Sequence, residues 1–158
     1  MQISFSHYVH PVIGCLQFHF EDEVLVKIDL PSSAPLHTNT ITLPIQWRKQ
    51  FDAYFNGYFK SFFDGDILIQ GSEHDRLVWQ AMLDTPYGQT QTYGQVAHTI
   101  GSSAQAVGQA CKRNPVPIII PCHRIIGQHD LGGYGGRTDT QHVSIKQWLL
   151  QHERAHAS

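Results

Sequence analysis

Apolar and polar residues alternate along two adjacent stretches near the amino terminus. Leu16, Phe18 and Phe20 alternate with polar residues, and the same period of two runs from Val24 to Leu30 after an acidic turn. Successive side chains of a β-strand point to opposite faces, so this period predicts strands with one buried face. The simplest structure for the two stretches is a β-hairpin.

The period becomes helical after a break rich in proline and serine at residues 31–35. Phe51, Tyr54, Phe55 and Tyr58 then fall on one helical face. An aromatic stripe at this spacing is more typical of a packed core than of a base-stacking surface. We therefore expect these four side chains to be buried.

The second half of the chain is mainly helical from Ser72 onwards. Leu77, Val78 and Ala81 share one face, which predicts a helix that ends before the Pro-Tyr-Gly sequence at residues 86–88.

Two short helices follow, with Gly101 between them. Thr92 with Gln95, and Ser102 with Gln105, match the capping box, in which two side chains bond amides left free at a helix start. Two brief helices joined by a glycine-containing turn predict a helix-turn-helix, which is a weak signal by itself.

The second of these helices, residues 103–112, has few bulky side chains. Its small residues are Ala104, Ala106, Gly108 and Ala110. They let the backbone approach a partner closely, and the partner is equally a neighbouring helix or DNA. The apolar residues 118–120 then predict a short buried extended segment, and Pro121 starts a turn.

Charge is unevenly distributed along the 158 residues. Residues 1–84 contain five basic and ten acidic side chains, whereas residues 85–158 contain six basic and three acidic ones. The net charge of -2 argues against a generally basic nucleic-acid-binding protein. No acidic residue lies between positions 85 and 129, so phosphate contact, if the chain makes any, belongs to this segment. The basic residues of that segment are Lys112, Arg113 and Arg124.

Composition and cysteine spacing exclude several classes of protein. No segment approaches the ~18 apolar residues of a membrane span, and we expect a cytoplasmic protein. Three cysteines without a CxxC pair favour neither a disulfide framework nor a zinc finger. His7, His10, Cys15 and His19 lack convergent metal-ligand spacing, so no metal is expected. A reactive thiol is left as a question.

Cys122 follows the apolar segment directly, where the chain leaves the core. A cysteine is a strong nucleophile only as a thiolate, so a nearby base and positive charge must lower its pKa. His123 is the candidate base. Neighbours in an extended chain point to opposite sides, so we expect a water molecule or a turn between them. The alternative is an inert buried cysteine.

A base at His123 needs an orienting carboxylate. The carboxylates of the second half are Asp130, Asp139 and Glu153. Glu153 lies one turn beyond Leu149 on a helix with an apolar face, which could hold it near the core, although a solvated helix-end charge is the alternative. The glycine-rich residues 131–136 could approach a flat ligand, but no phosphate-binding glycine motif predicts a nucleotide cofactor.

Residues 114–124 have the sequence Asn-Pro-Val-Pro-Ile-Ile-Ile-Pro-Cys-His-Arg. Five shorter sequences precede or follow this segment, namely Pro-Tyr-Gly at 86–88, Thr-Tyr at 92–93, Ala-Val-Gly at 106–108, Leu-Gly-Gly-Tyr at 131–134 and Trp-Leu-Leu at 148–150. Together they closely resemble the active-site signature and flanking blocks of the O6-alkylguanine-DNA alkyltransferase family, also called methylated-DNA-protein-cysteine methyltransferases. The resemblance covers about residues 71–153 strongly and the first 70 in outline.

The resemblance implies an α+β fold with two domains. Residues 1–70 would form a small α/β domain with a ribonuclease-H-like sheet. Residues 71–158 would form a helical, winged-helix-like domain whose helix-turn-helix binds the DNA minor groove. The damaged guanine would be flipped into a pocket, because a stacked base does not expose its O6-alkyl carbon to attack.

The resemblance also implies DNA repair by alkyl transfer. Cys122 would take the alkyl group from O6-alkylguanine once per molecule, while activity on O4-alkylthymine is left open. His123 would act on Cys122 through water, oriented by Glu153. The expected partner is double-stranded DNA containing alkylated guanine, bound by a monomer, and no metal or organic cofactor takes part.

Further roles carry over position by position. Asn114 would brace the active-site turn, Tyr93 would bond the flipped base or its rotated phosphate, and Tyr134 would wall the pocket. The backbone groups expected to contact the guanine edge are those around Cys122, Ile125 and Gly135. The other expected DNA contacts are Gln105, Ala106, Gly108, Arg113 and Arg124.

Two features depart from the family's pattern. Members usually place an arginine just before the Ala-Val-Gly block, where this chain has Gln105. Gln105 is either the capping partner of Ser102 or a weaker inserting residue, because glutamine is shorter and uncharged. Residues 137–144 are longer and more polar than the usual link, and we expect a surface insertion.

Three other functions are alternatives. A lesion sensor without transfer activity usually has tryptophan in place of the signature cysteine, whereas Cys122 is present. A sequence-specific regulator would contact bases through Gln105 and Gln109. A cysteine hydrolase would need an oxyanion hole, and none is evident.

Overall fold

A computed structural model of the chain describes residues 1–58 and 63–157. The predicted α+β class is confirmed, with helices and small sheets in two compact units, Met1–Gln70 and Gly71–Ser158. Within the described ranges, no helix has the length and apolar character needed to cross a membrane.

The first unit contains an antiparallel sheet with the strand order β1 (Ile3–His10), β2 (Gly14–Glu21) and β3 (Val24–Asp29). The predicted hairpin is confirmed as β2 and β3. Asp22 and Glu23 have φ angles of 49° and 71° in its two-residue turn. Left-handed residues match the right-handed twist of the flanking strands, and Asp tolerates this conformation better than most residues.

Helix α1 (Ile45–Phe55) carries the aromatic stripe. Phe51, Tyr54 and Phe55 are buried, as predicted. Tyr58 lies beyond the end of the helix with 85% of its surface exposed, so the prediction for this residue was wrong. Gly57, at φ 80°, redirects the chain before position 58.

The second unit contains α2 (Glu73–Leu83), β4 (Gln91–Thr92), α3 (Tyr93–Ile100), α4 (Ala104–Lys112), β5 (Ile125–Ile126) and α5 (Thr140–His156). Strands β4 and β5 pair in parallel. This short pairing brings the start of α3 beside the chain that follows Cys122.

The buried face of α2 differs from the predicted one. Val78, Trp79 and Met82 form it, whereas Leu77 is 48% exposed. The Trp79 indole donates a hydrogen bond to the Ala110 carbonyl at 3.0 Å, and this contact orients α2 against α4. A large aromatic ring therefore selects the packing face, because it buries more apolar area than a leucine.

Only one of the two predicted capping boxes exists. Thr92 and Gln95 form the box at the start of α3, and Gly101 ends that helix in the left-handed conformation. The second prediction was wrong, because Ser103 caps α4 by accepting a hydrogen bond from the Ala106 amide. Ser102 instead contacts His74 at 2.8 Å. Gln105 is therefore exposed and takes no part in a capping box.

The small residues of α4 serve two faces. Val107 and Ala110 are fully buried in the packing of the helices. Gly108 lies on the other side, where an added Cβ would meet no atom within 4 Å. Helix packing thus accounts for Ala110 and leaves the surface around Gly108 open.

Residues 137–144, expected as a surface insertion, are partly helical. Asp139 caps α5 by accepting a hydrogen bond from the His142 amide at 3.0 Å. The first turn of α5 thus occupies the second half of this segment, and His142 is only 3% exposed.

Candidate active site around Cys122

Cys122 is presented by a tight turn. The prediction of an extended segment at residues 118–120 was wrong, since Pro117 and Ile120 bridge each other and Ile118 has φ 76°. Such a φ angle is strained for a β-branched residue and needs support from its surroundings. The predicted burial of the three isoleucines is confirmed.

Asn114 supplies that support. Its Nδ2 donates to the Ile120 carbonyl at 2.9 Å, and its Oδ1 accepts from the Val116 amide at 3.0 Å. The expected bracing contacts are therefore present. Cys122 then begins a 3-10 turn, Cys122–Arg124, rather than an extended chain.

Cys122 is buried, with only 4% of the residue's surface exposed. Burial raises its pKa, while hydrogen bonds from the Asn114 side chain and the Gly135 amide and the charge of Lys146 act in the opposite direction. Burial prevails and the pKa of the thiol is raised, but the groups around the sulfur favour a thiolate.

His123 and Glu153 are joined, as the sequence suggested. The His123 Nε2–H donates to Glu153 Oε2 at 2.6 Å, and both side chains are almost fully buried. Arg124 adds bonds from Nε and Nη2 to the same carboxylate at 2.8 and 3.1 Å. Arg124 also donates to the Thr85 carbonyl at 2.9 Å. One carboxylate thus orients two neighbouring residues of the turn.

The protonation states follow from these contacts. Burial by itself would raise the pKa of Glu153, but the hydrogen bonds from His123 and Arg124 and the positive charge of Arg124 outweigh it and hold that pKa far below its usual range. Burial lowers the pKa of His123 despite Glu153, so the ring is neutral at pH 7. Its Nδ1 is buried and has no hydrogen-bond partner among the described residues. A neutral ring with Nε2–H engaged leaves Nδ1 as a free proton acceptor.

The glycine-rich loop lies against the start of α3. A Cβ on Gly132 would be 2.9 Å from the Tyr93 hydroxyl oxygen, and Gly132 has φ 70°. Tyr134 is 1% exposed, its ring packs edge-on to His123 with centroids 6.3 Å apart, and its hydroxyl has no partner among the described residues. The loop thus brings Tyr134 and Gly135 to the thiol.

Gly132→Ala tests this close packing. We expect a loss of about 2 kcal/mol or more in the free energy of unfolding, because backbone strain adds to the clash with Tyr93. Gly101→Ala is the matched control, since its φ is 71° and an added Cβ meets nothing within 4 Å. Urea denaturation of both variants measures the difference. Equal losses would show that Tyr93 does not press on the loop.

The residues expected to contact DNA differ in their exposure and in their contacts within the protein. Gln105 is exposed, and Gly108 borders open space. Arg113 makes three hydrogen bonds of 2.7–3.1 Å to Asp75, and Arg124 is directed to Glu153. The Ile125 carbonyl accepts from Lys146 at 2.6 Å. DNA contact by these residues stays a prediction, as it does for Ala106.

Lys146 is a residue of the site that was not predicted from the sequence. It is 0% exposed on α5, three and seven residues before Leu149 and Glu153. These spacings place it on the buried stripe of the helix, which was the signal available.

Among the described residues, no group of three or more His, Cys, Asp or Glu side chains could hold a metal ion.

Both the sequence and the structure of this chain are similar to those of known proteins. Residues 73–155 match the family model for the 6-O-methylguanine DNA methyltransferase DNA-binding domain. A methylated-DNA-protein-cysteine methyltransferase of Mycolicibacterium paratuberculosis is 45% identical over 153 residues, which cover 92% of this chain and 89% of that protein. One of Methanosarcina acetivorans is 44% identical over 108 residues, 66% of this chain and 65% of that protein.

Solved structures agree with these matches. The crystal structure of Mycobacterium tuberculosis O6-methylguanine methyltransferase is similar with a TM-score of 0.83 and 33% identity, covering 99% of this chain and 96% of that one. The same organism's protein in complex with DNA gives 0.80 and 34%, with 98% and 94% covered. The chain belongs to the 6-O-methylguanine DNA methyltransferase family.

Proposed function

We propose that this chain repairs DNA by transferring the alkyl group of O6-alkylguanine to its own Cys122, once per molecule. The observation that carries the proposal is the buried Cys122 beside a neutral His123, whose Nε2–H is held by Glu153 at 2.6 Å and whose Nδ1 is free to accept a proton. The relatives are named as methyltransferases that act on methylated DNA.

The transfer needs no oxidant or reductant. A water molecule between Cys122 and His123 passes the thiol proton to Nδ1. The thiolate attacks the alkyl carbon in line with its bond to O6, so an S–C bond forms as the C–O6 bond breaks. The electron pair stays on the guanine, which takes up one proton. The product is a thioether, a stable C–S bond, so we infer that one molecule repairs one lesion.

The target base reaches Cys122 by flipping out of the duplex. The thiol of a residue that is 4% exposed cannot reach a stacked base, so the base must enter the protein to meet it. The open side of α4 at Gly108 gives DNA a close approach, and we assign α4 to the minor groove. Tyr93 and Tyr134 would then contact the flipped base.

We also propose a specific fold for each of the two units. The antiparallel strands with α1 and the parallel bridge between Leu25 and Ile67 support a ribonuclease-H-like domain at residues 1–70. Helices α3 and α4, joined at Gly101, support a winged-helix-like domain at residues 71–158. A monomer with one Cys122 is sufficient for the reaction.

The direct test is the intact mass of the protein after it is mixed with an excess of duplex carrying one O6-methylguanine. We expect one added methyl group, mapped to the peptide containing Cys122, and no second addition. Tight lesion binding without a mass change would place the chain among damage sensors instead. A duplex carrying O4-methylthymine, assayed in the same way, decides whether that base is a second substrate.

Gln105→Arg is expected to raise the repair rate on duplex DNA severalfold and to leave the rate on free O6-methylguanine unchanged. The exposed side chain at the start of α4 would gain length and a charge that favours the phosphate-lined groove. Single-turnover kinetics at saturating protein measure the effect.

Gln109→Arg is the matched control, because it adds the same charge to an exposed position one turn further along α4. An equal gain in both variants would attribute the effect to overall charge and not to insertion at position 105.

A further inference from the structure

Lys146 is a fully buried lysine with a defined set of contacts. Its Nζ donates to the Ile125 carbonyl at 2.6 Å and to the Gly133 carbonyl at 2.9 Å. The same nitrogen lies 5.8 Å from the centroid of the Tyr93 ring. Burying an ammonium costs several kcal/mol unless partners compensate, and these two carbonyls and the Tyr93 ring are the partners that offset the cost.

The charged and titratable groups that face Lys146 come from several segments. They are Cys122, Cys111, Asp130, His123 and Tyr93. Burial lowers the pKa of Lys146 to about 8, and the two cysteines and Asp130 act against this decrease. At pH 7 the side chain is therefore mostly a cation. Burial raises the pKa of both thiols, but only Cys122 also receives hydrogen bonds from the Asn114 side chain and the Gly135 amide, so Cys122 is the thiol better placed to respond to this charge.

Lys146 also fixes the loop that reaches the thiol. Its bond to Gly133 anchors the chain two residues before Gly135, whose amide donates to the Cys122 sulfur. Its bond to Ile125 anchors the chain three residues after Cys122. A single ammonium thereby ties together the two segments that flank the thiol.

We propose that Lys146 is a positioning residue for the transfer: its buried ammonium stabilises the Cys122 thiolate by charge and holds the Gly133–Gly135 loop so that the Gly135 amide supports the sulfur. This role rests on the proposed function of Cys122 as acceptor. Lys146 itself does not touch the alkyl group. It acts through Cys122 and through the loop.

The test measures the thiol without DNA. The rate at which iodomethane methylates Cys122, followed by peptide mapping across pH, gives the thiol pKa in the folded protein. Lys146→Met keeps the length of the side chain but removes the charge and both hydrogen bonds. We expect the thiol pKa to rise by about one unit, which lowers the rate at pH 7 about tenfold.

Two further variants separate charge from packing. Lys146→Arg restores a cation and is expected to recover part of the reactivity. Lys112→Met removes a lysine that is exposed and packs on Gly136 of the same loop, and it should leave the thiol pKa unchanged. An unchanged thiol pKa in folded Lys146→Met, or an equal rise in Lys112→Met, overturns the proposal.

A measurement on the unaltered chain covers the case in which Lys146→Met does not fold. The pKa of Lys146, followed by the 13Cε chemical shift, should fall after Cys122 is methylated, because the coupled anion has been removed. No change would overturn the proposal. Neither readout needs DNA repair, so failure to accept a methyl group from O6-methylguanine would contradict the proposed function alone.

Discussion

Cys122→Ser is expected to lower the rate of methyl transfer from O6-methylguanine DNA on the order of a thousandfold or more. A serine hydroxyl is nearly isosteric with the thiol, but it does not ionise under conditions in which a thiolate forms. The supporting contacts from Asn114 and Gly135 would therefore face a neutral, weakly nucleophilic oxygen. Intact mass against time, with the duplex in excess, measures the loss.

DNA binding should survive in Cys122→Ser, because the thiol is buried while the exposed side of α4 is unchanged. Cys15→Ser is the matched control, since Cys15 lies on β2 and should not affect transfer. Methyl mapped to Cys15 or Cys111 would contradict the assignment of the acceptor. So would loss of duplex affinity in a folded Cys122→Ser protein.

Glu153→Gln is expected to reduce both stability and transfer. The amide can still accept one hydrogen bond, but it leaves the Arg124 guanidinium without a counter-charge and His123 without a firm acceptor. Removing one partner from a buried ion pair costs about 3–5 kcal/mol. A histidine that is no longer oriented loses its value as a base, so transfer should slow about a hundredfold.

The pH dependence gives a second readout of Glu153. Since the pKa of this carboxyl is held far below its usual range in the folded state, its stabilising effect is complete above about pH 4.3, the value in an unfolded chain, and is lost as the pH falls further. Wild-type stability should therefore drop steeply in acid, and Glu153→Gln should show a shallower decrease.

Urea denaturation at a series of pH values between about 3 and 7 measures the loss of stability in Glu153→Gln and the pH dependence of stability in both proteins. Glu73→Gln is the control, because Glu73 is exposed at the start of α2. If the free energy of unfolding of Glu153→Gln falls with decreasing pH as steeply as that of the wild type, other carboxylates cause the pH dependence. An unchanged rate of methyl transfer in Glu153→Gln would show that His123 is not a base that Glu153 orients.

Local patterns were sufficient for much of the fold. The period of two between positions 16 and 30 predicted β2 and β3, and Thr92 with Gln95 predicted the start of α3. These features depend on residues a few positions apart, where the chain's own geometry determines which side chains can meet. Strand β1 was not predicted, because its own sequence has mixed polarity. The strand depends on its pairing with β2, which a local pattern does not contain.

By itself, the sequence determined the hairpin and one helix cap, and it named Glu153 as one candidate partner of His123, a contact that the structure contains. Tertiary structure alone decided the partners of the long basic side chains. Arg124 bonds a carboxylate 29 positions away, Arg113 one 38 positions away, and Lys146 a carbonyl 21 positions away. A flexible side chain can point to solvent, phosphate or protein with similar local cost, so its position emerges only when distant segments pack and a buried charge must find its partner.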